Sequence, residues 1–403
     1  MTTILSPART RLALLALALG GFGIGSTEFV VMGLLPDIAR DLLPDLYATA
    51  TEDAISQTGW LISAYALGVV VGAPTIAALA ARFPRKTLLL SLLAAFTVGT
   101  ILSAVLPSFG LVLVARFIAG LPHGAYFGVA ALVAASLIGK ERRGLGVAIV
   151  LSGLTIATVL GVPAITFLGQ ATSWRIAYLV VASLFALTFL AVALVLPKQP
   201  GDPSATIARE LTVFARSQVW LALLIGAIGF GGFFAVYSYI APVVTEVTML
   251  DATFVPVALV SIGLGMTIGN LAGGWGADRN IMGTVFVCFG LFLVSLIAFA
   301  LLAHTTVGLI VTIFFVGGSA SALSPAIQTR LMDVAGDSQT LAAAINHASL
   351  NLGNSLGAFI GGVTIAAGFG YLSPAWAGLV LCVGGIVLAL GSVLLERRRP
   401  IIR

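Results

Sequence analysis

A carboxylic acid, a guanidinium and an imidazole stand inside otherwise apolar stretches of this 403-residue chain. They are Glu28 in Ser-Thr-Glu-Phe-Val, Arg116 in Val-Ala-Arg-Phe-Ile and His123 in Leu-Pro-His-Gly-Ala. Ionisable groups are costly in such surroundings and mark functional positions by default. The chemistry open to this trio is proton exchange. Desolvation and a nearby guanidinium pull on a carboxyl proton in opposite senses. Moving Arg116, or bringing in a solute, would therefore switch Glu28 between its neutral and ionised forms. A fixed ion pair that merely holds two helices together is the alternative. His123 titrates near neutrality in water, so it could relay a proton or donate to a bound solute. A second polar group follows at His347, Asn351 and Asn354, spaced i, i+4 and i+7 on one helix face. Such a stripe should face a partner helix or a cavity rather than lipid. Tyr126 and Tyr237 lie among aromatics close to these positions and are candidates to line the same cavity.

The elements that carry these residues follow from composition. The chain is 59% hydrophobic and 9% charged. Soluble domains run at about 45–50% apolar and about 25% charged. A soluble enzyme, a nucleic-acid binder and a disordered chain are excluded. Apolar runs long enough to cross a bilayer occur near 12–36, 57–81, 87–106, 109–138, 144–169 and 174–196. Six more occur near 217–245, 253–277, 282–303, 306–330, 340–368 and 373–395. The expected fold is an all-α membrane protein of twelve helices. The runs are continuous rather than alternating, which argues against a β-barrel.

The basic residues set an expected orientation. With the N-terminus inside, Arg40 and Arg175 fall in outer segments and Arg116 within a span. The remaining Lys and Arg lie in inner segments. Both termini are then expected in the cytoplasm. The first outer segment, with Asp37, Asp41, Asp45, Glu52 and Asp53, reads as a solvated loop.

The long inner connection begins Pro-Lys-Gln-Pro-Gly-Asp-Pro, a loop signal. After it, Ser204 can cap a short interfacial helix. The expected organisation is a six-helix bundle over 1–198, a cytoplasmic linker over 199–216 and a second six-helix bundle over 217–403. Pairs at nearly constant offset suggest a parallel repeat of the halves: Pro36 and Pro242, Gly120 and Gly318, Gly161 and Gly357. Depth also fits. Glu28 is eight residues before Pro36, roughly 12 Å in, and Arg116 is seven residues after Phe109, roughly 10 Å in. They could pair if spans 1 and 4 are neighbours.

Cys288 and Cys382 lack metal-ligand spacing, and neither a metal nor a cofactor is expected. The sequence holds no nucleotide-binding glycine loop with its lysine and no nucleophile elbow, so enzymatic catalysis is not expected.

Three segments resemble known motifs: Ser-Thr-Glu-Phe-Val-Val-Met-Gly-Leu-Leu-Pro (26–36), Ala-Arg-Phe-Ile-Ala-Gly-Leu-Pro-His-Gly-Ala-Tyr-Phe-Gly (115–128) and Asn-Leu-Gly-Asn-Ser-Leu-Gly-Ala-Phe-Ile-Gly-Gly (351–362). With them the whole chain resembles the major facilitator superfamily, in particular its twelve-span drug:proton antiporters of the arabinose-efflux type. The resemblance implies alternating access by two bundles around a central site in a bacterial inner membrane. Glu28 would match the family's first-span acidic residue and Arg116 the span-four arginine that supports coupling. Gly153, Gly161 and Pro163 would match the span-five antiporter motif, with Gly-Val-Pro here in place of Gly-Pro. In the loop after span 2, Arg85 and Lys86 keep the family's basic pair near Arg82, while Ala81 and Pro84 replace its Asp and Gly. Asp278 and Arg279 occupy the corresponding loop of the second half. These eight residues, from Arg82 to Arg279, are the expected gating set.

The expected function is export of a small neutral or amphipathic solute, such as a sugar, nucleoside or drug, in exchange for protons. A facilitator or proton symporter importing a similar solute is the alternative. A membrane sensor without flux is disfavoured, because the tails and linker are too short for a sizeable inner domain. The partners expected are the solute, protons and the lipid bilayer, with no nucleic acid. A monomer is the family's usual form.

Overall fold

A computed structural model describes residues 6–80, 83–138, 143–200, 216–335 and 339–398. Arg82 and the expected interfacial helix of the linker lie outside the described residues. Among the described residues, twelve helices are long and apolar enough to cross a membrane. Spans 1 to 6 are Pro7–Gly33, Thr51–Ile76, Arg85–Val105, Phe109–Ile138, Leu145–Ala171 and Trp174–Val195. Spans 7 to 12 are Ser217–Tyr237, Ala252–Ala277, Ile281–Leu302, Thr306–Val334, Ile345–Phe369 and Ser373–Glu396. They form two six-helix bundles, spans 1–6 and 7–12. Large apolar side chains such as Leu194, Leu271 and Val307 are exposed on the outside of the bundles, where a membrane protein meets lipid.

Helix ends and breaks follow local chemistry. Ser6 accepts the Arg9 N–H at the start of span 1, with Pro7 at the first helical position. Pro122 divides span 4 into Phe109–Gly120 and His123–Ile138, the break its missing N–H predicts. In span 5 a single π-turn, Ala157–Gly161, precedes Pro163 and absorbs the mismatch around the ring. The segment expected as a solvated loop is instead helical, as Leu35–Leu42 and Pro44–Thr49, and the helix leading into span 2 starts at Thr51. The reason is amphipathic. Leu35, Ile38, Ala39 and Leu42 are buried at i, i+3, i+4 and i+7, while Asp37, Asp41 and Asp45 leave that face free.

The repeat is visible in packing. Span 1 breaks at Leu34 (φ −111°, ψ 13°), just before Pro36. Span 7 breaks at Tyr239 (φ −114°, ψ 22°), just before Pro242. In the first bundle, span 2 crosses span 4 with Gly68 against the Phe117 carbonyl, Gly72 against the Leu121 carbonyl and Gly120 against the Tyr65 carbonyl. In the second, span 8 crosses span 10 with Gly265 on the Phe314 carbonyl and Gly269 on the Gly318 carbonyl. Small residues at four-residue spacing allow this backbone approach, and the first crossing sets where Tyr65, Arg116 and His123 stand relative to one another.

The end of the molecule that carries both chain termini is tied within each bundle. Arg9 donates to the Leu194 and Val195 carbonyls, both at 3.3 Å, and Lys86 Nζ to those of Ala193 and Leu196, both at 2.7 Å. These cations sit where the exposed carbonyls of span 6 place partial negative charge. Arg330 pairs with Glu396 at 2.8 Å in the second bundle. At the opposite end the bundles meet directly. Ser63 Oγ donates to the Ser355 carbonyl at 3.0 Å, and Gln170 Nε2 donates to the Ala252 carbonyl at 3.1 Å.

Two measurements check this architecture. Gly68→Ala forces a methyl into the Phe117 carbonyl and is expected to lower thermal stability in detergent by about 1–3 kcal/mol, whereas Gly128→Ala, which meets open space, leaves it unchanged. A β-carbon built at Gly362 lies 3.0 Å from Ser56 Oγ, close to the geometry of a disulfide, and 2.5 Å from the Tyr239 hydroxyl, which must shift to admit it. The pair Ser56→Cys and Gly362→Cys is therefore expected to oxidise to an intramolecular bridge. A chain that stays fully reduced under oxidant would show that the two spans do not meet.

Candidate functional site

Glu28, Arg116 and His123 are all buried, with 4%, 0% and 2% of their surface exposed. They converge near the plane where the bundles meet. Glu28 projects from the last third of span 1. Its Oε1 accepts from Asn354 Nδ2 of span 11 at 3.2 Å, a bond that crosses from one bundle to the other. Its Oε2 lies 3.9 Å from His123 Nδ1. His123 is the first residue after the Pro122 break, which aims the ring back toward span 1. The same Nδ1 lies 3.2 Å from the hydroxyl of Tyr65 in span 2.

Arg116 does not form the ion pair with Glu28 that similar depth would allow. Its Nη1 donates to Thr27 Oγ1 at 3.2 Å, and its Nε and Nη2 have no hydrogen-bond partner. The guanidinium lies instead over the ring of Tyr65, 4.4 Å from the centroid, and 5.5 Å from that of Tyr178. Stacking on two desolvated aromatic faces contributes of order 2 kcal/mol. The cation thus stays one residue away from the carboxyl, held by Thr27 and two aromatic rings.

His347 and Asn354 of span 11 reach residues of the first bundle. His347 stacks on Phe127 of span 4 with centroids 5.4 Å apart and planes 3° apart, and its ring centroid is 6.1 Å from that of His123. Asn351 donates to the His347 carbonyl at 3.0 Å within the same helix, leaving its Oδ1 unpartnered. Asn354 Oδ1 is likewise unpartnered. Tyr237 of span 7 lies 5.6 Å from Phe29, centroid to centroid, and its buried hydroxyl lacks a partner. Phe233 and Phe234 extend this aromatic surface.

The other expected site residues among the described ones make local contacts in this structure. Tyr126 donates to the Leu17 carbonyl at 2.9 Å and rests against Phe96. Its hydroxyl, already engaged, ties span 4 to span 1. Gly153 and Gly161 pack against span 1 at Ala18, Phe22 and Ser26, and Pro163 follows the π-turn. Lys86 caps span 6 as described, and the Arg85 N–H donates to the Gln199 carbonyl at 3.1 Å. Arg279 folds back on Trp275, 3.7 Å above its ring centroid, and Asp278 is exposed. None of these contacts joins one bundle to the other.

Sequence reasoning missed Tyr65, Thr27 and Tyr178. A tyrosine in an apolar helix carries little signal, though Tyr65, Gly68 and Gly72 do share one face at i, i+3 and i+7. It also missed a strut at the end opposite the termini. There Asp41 accepts from Arg175 at 2.8 Å and from the Trp174 indole at 3.0 Å, while Arg175 Nη1 donates to the Ala104 and Leu106 carbonyls.

Two helical bundles that share a buried carboxyl–amide bond define a twelve-span membrane transporter. The chain belongs to the Major Facilitator Superfamily, whose family model matches residues 17–340. It is 40% identical over 390 residues to the Inner membrane transport protein YdhP of Escherichia coli strain K12, covering 96% of each chain. It is 33% identical to the Chloramphenicol resistance protein of Streptomyces lividans, over 93% of this chain and 95% of that one. Among solved structures it resembles the D-xylose-proton symporter, with a TM-score of 0.75 at 15% identity, covering 95% and 97% of the two chains. The chain is a multi-pass protein of the bacterial inner membrane.

If Thr27 and the two tyrosine rings hold Arg116, removing the hydroxyl should free it. Thr27→Val is expected to lower thermal stability by about 1–3 kcal/mol, because another guanidinium donor is left buried without a partner. An unchanged melting temperature would show that the guanidinium finds another acceptor.

Proposed function

We propose that this chain exports a small neutral or amphipathic solute in exchange for protons, with Glu28 as the proton carrier and Arg116 as the neighbouring charge that tunes it. The observation that carries the reading is the Glu28–Asn354 bond. It ties a titratable group of one bundle to a neutral amide of the other. An ionised carboxylate accepts a stronger hydrogen bond than a neutral acid. Protonation of Glu28 therefore changes how firmly the bundles hold each other at mid-depth, which is what exchange transport requires. The unpartnered oxygens of Asn351, Asn354 and Tyr237, beside Phe29, Phe233 and Phe234, offer acceptors and apolar faces to such a solute.

The sparse buried charge favours a substrate without multiple charges, since each would need a partner. The relative named for chloramphenicol resistance supports a drug-like solute. The three motifs support placement in the arabinose-efflux-type antiporter group. With both termini cytoplasmic, as the basic residues favour, the end where Ser63 and Gln170 join the bundles faces the periplasm. The bundle boundaries proposed are 1–198 and 217–403, joined by 199–216.

The test uses proteoliposomes with an imposed pH gradient and a panel of chloramphenicol, nucleosides and sugars. Wild type is expected to move at least one of them against its gradient while protons move the other way. Glu28→Gln is expected to lose gradient-driven movement by roughly tenfold or more while still binding the solute, the signature of a lost proton site. Gradient-driven transport at the wild-type rate by Glu28→Gln would overturn the reading. Solute and protons moving in the same direction would turn it into symport.

A further inference from the structure

One ring nitrogen in the site has two competing partners. His123 Nδ1 is 3.2 Å from the Tyr65 hydroxyl and 3.9 Å from Glu28 Oε2. A neutral imidazole nitrogen either accepts one hydrogen bond or donates one. If Nδ1 accepts from Tyr65, its lone pair is occupied and it cannot take the Glu28 proton. If Nδ1 carries a proton, it can donate to the Glu28 carboxylate, but the Tyr65 hydrogen is then left without an acceptor.

The surroundings favour the first arrangement. The Tyr65 hydroxyl is fully buried and has no acceptor other than Nδ1 among the described residues. An orphaned buried hydroxyl costs about 1–3 kcal/mol. The phenol ring is fixed by Arg116 on its face, at 4.4 Å. The backbone behind it is fixed by Gly120, packed on the Tyr65 carbonyl. The hydroxyl is thus held against Nδ1 from two sides.

We propose that Tyr65 is a positioning residue that governs proton exchange between Glu28 and His123. By donating to Nδ1 it holds His123 in the Nε2–H tautomer and keeps the proton on Glu28. When the Tyr65 hydroxyl turns away, the Glu28 Oε2–H bond breaks and an Nδ1–H bond forms, giving carboxylate and imidazolium with no other reactant. The remaining titratable or charged groups around this exchange are Arg116 on span 4, Tyr178 on span 6, Tyr237 on span 7 and His347 on span 11. None of these replaces Tyr65 as a hydrogen-bond donor to Nδ1 among the described contacts. The proposal rests on Glu28 carrying the transported proton, but its test does not.

The chain has only three histidines, so nitrogen-15 spectra of ring-labelled protein can be assigned with His304→Asn and His347→Asn. The tautomer is read directly, without transport. Wild type is expected to show His123 as Nε2–H. Tyr65→Phe, which keeps the ring under Arg116, is expected to convert it to Nδ1–H or to imidazolium. The same variant should shift the pH midpoint of proton exchange by about half to one unit, the size of one hydrogen bond. A purely structural tyrosine would lower the amplitude and leave the midpoint and tautomer alone. An Nδ1–H signal in wild type, or an unchanged His123 signal in Tyr65→Phe, overturns the proposal. Loss of the Glu28 reading would show instead in the transport of Glu28→Gln, with the His123 tautomer unaffected as evidence for Tyr65.

Discussion

A carboxyl and a guanidinium buried in a bilayer-spanning protein impose the constraint on which this structure turns. Neither can stay there without partners, and the partners are few. The chain resolves this by spreading the two groups over five helices. Glu28 is bound by an amide from span 11 and faces an imidazole from span 4. Arg116 is bound by a hydroxyl from span 1 and covered by rings from spans 2 and 6. A direct ion pair would neutralise both at once. Holding them one residue apart leaves the carboxyl responsive to its proton and to whatever approaches Asn354.

The scaffold supports that separation by close backbone contact. Gly68, Gly72 and Gly120 bring spans 2 and 4 together so that Tyr65 can reach both Arg116 and His123. The same crossing recurs at Gly265, Gly269 and Gly318 in the second bundle. The first half of the framework therefore holds Glu28, Arg116 and His123, and the second presents Asn354, His347 and aromatic rings to them. A proton equilibrium in one bundle can then be read by the other through a single hydrogen bond at their interface.

Much of the fold was legible because lipid leaves few options. Continuous apolar runs must be helices, and the break at Pro122 follows from its missing N–H. The acidic segment after span 1 was not, since its charges masked the buried face formed by Leu35, Ile38, Ala39 and Leu42. Glu28, Arg116, His123 and the His347–Asn354 stripe stood out as polar residues in apolar helices. Their partnerships did not. Depth along the helices made Glu28 and Arg116 look like a pair, but depth carries no information on rotation. Helix rotation turns the guanidinium onto Thr27 and Tyr65. Tyrosines carry no formal charge, so Tyr65 and Tyr178 were indistinguishable in sequence from lipid-facing or core aromatics.

The central claim is that the protonation of Glu28 biases how the two bundles sit against each other. The most direct test is a spin-label distance distribution between the termini-bearing ends of the two bundles, measured across pH for wild type and Glu28→Gln in lipid nanodiscs. The account predicts that the wild-type distribution shifts between two populations as pH changes and that the variant stays in one population throughout. A Glu28→Gln distribution that follows pH as the wild type does would contradict it and move the proton switch to another group.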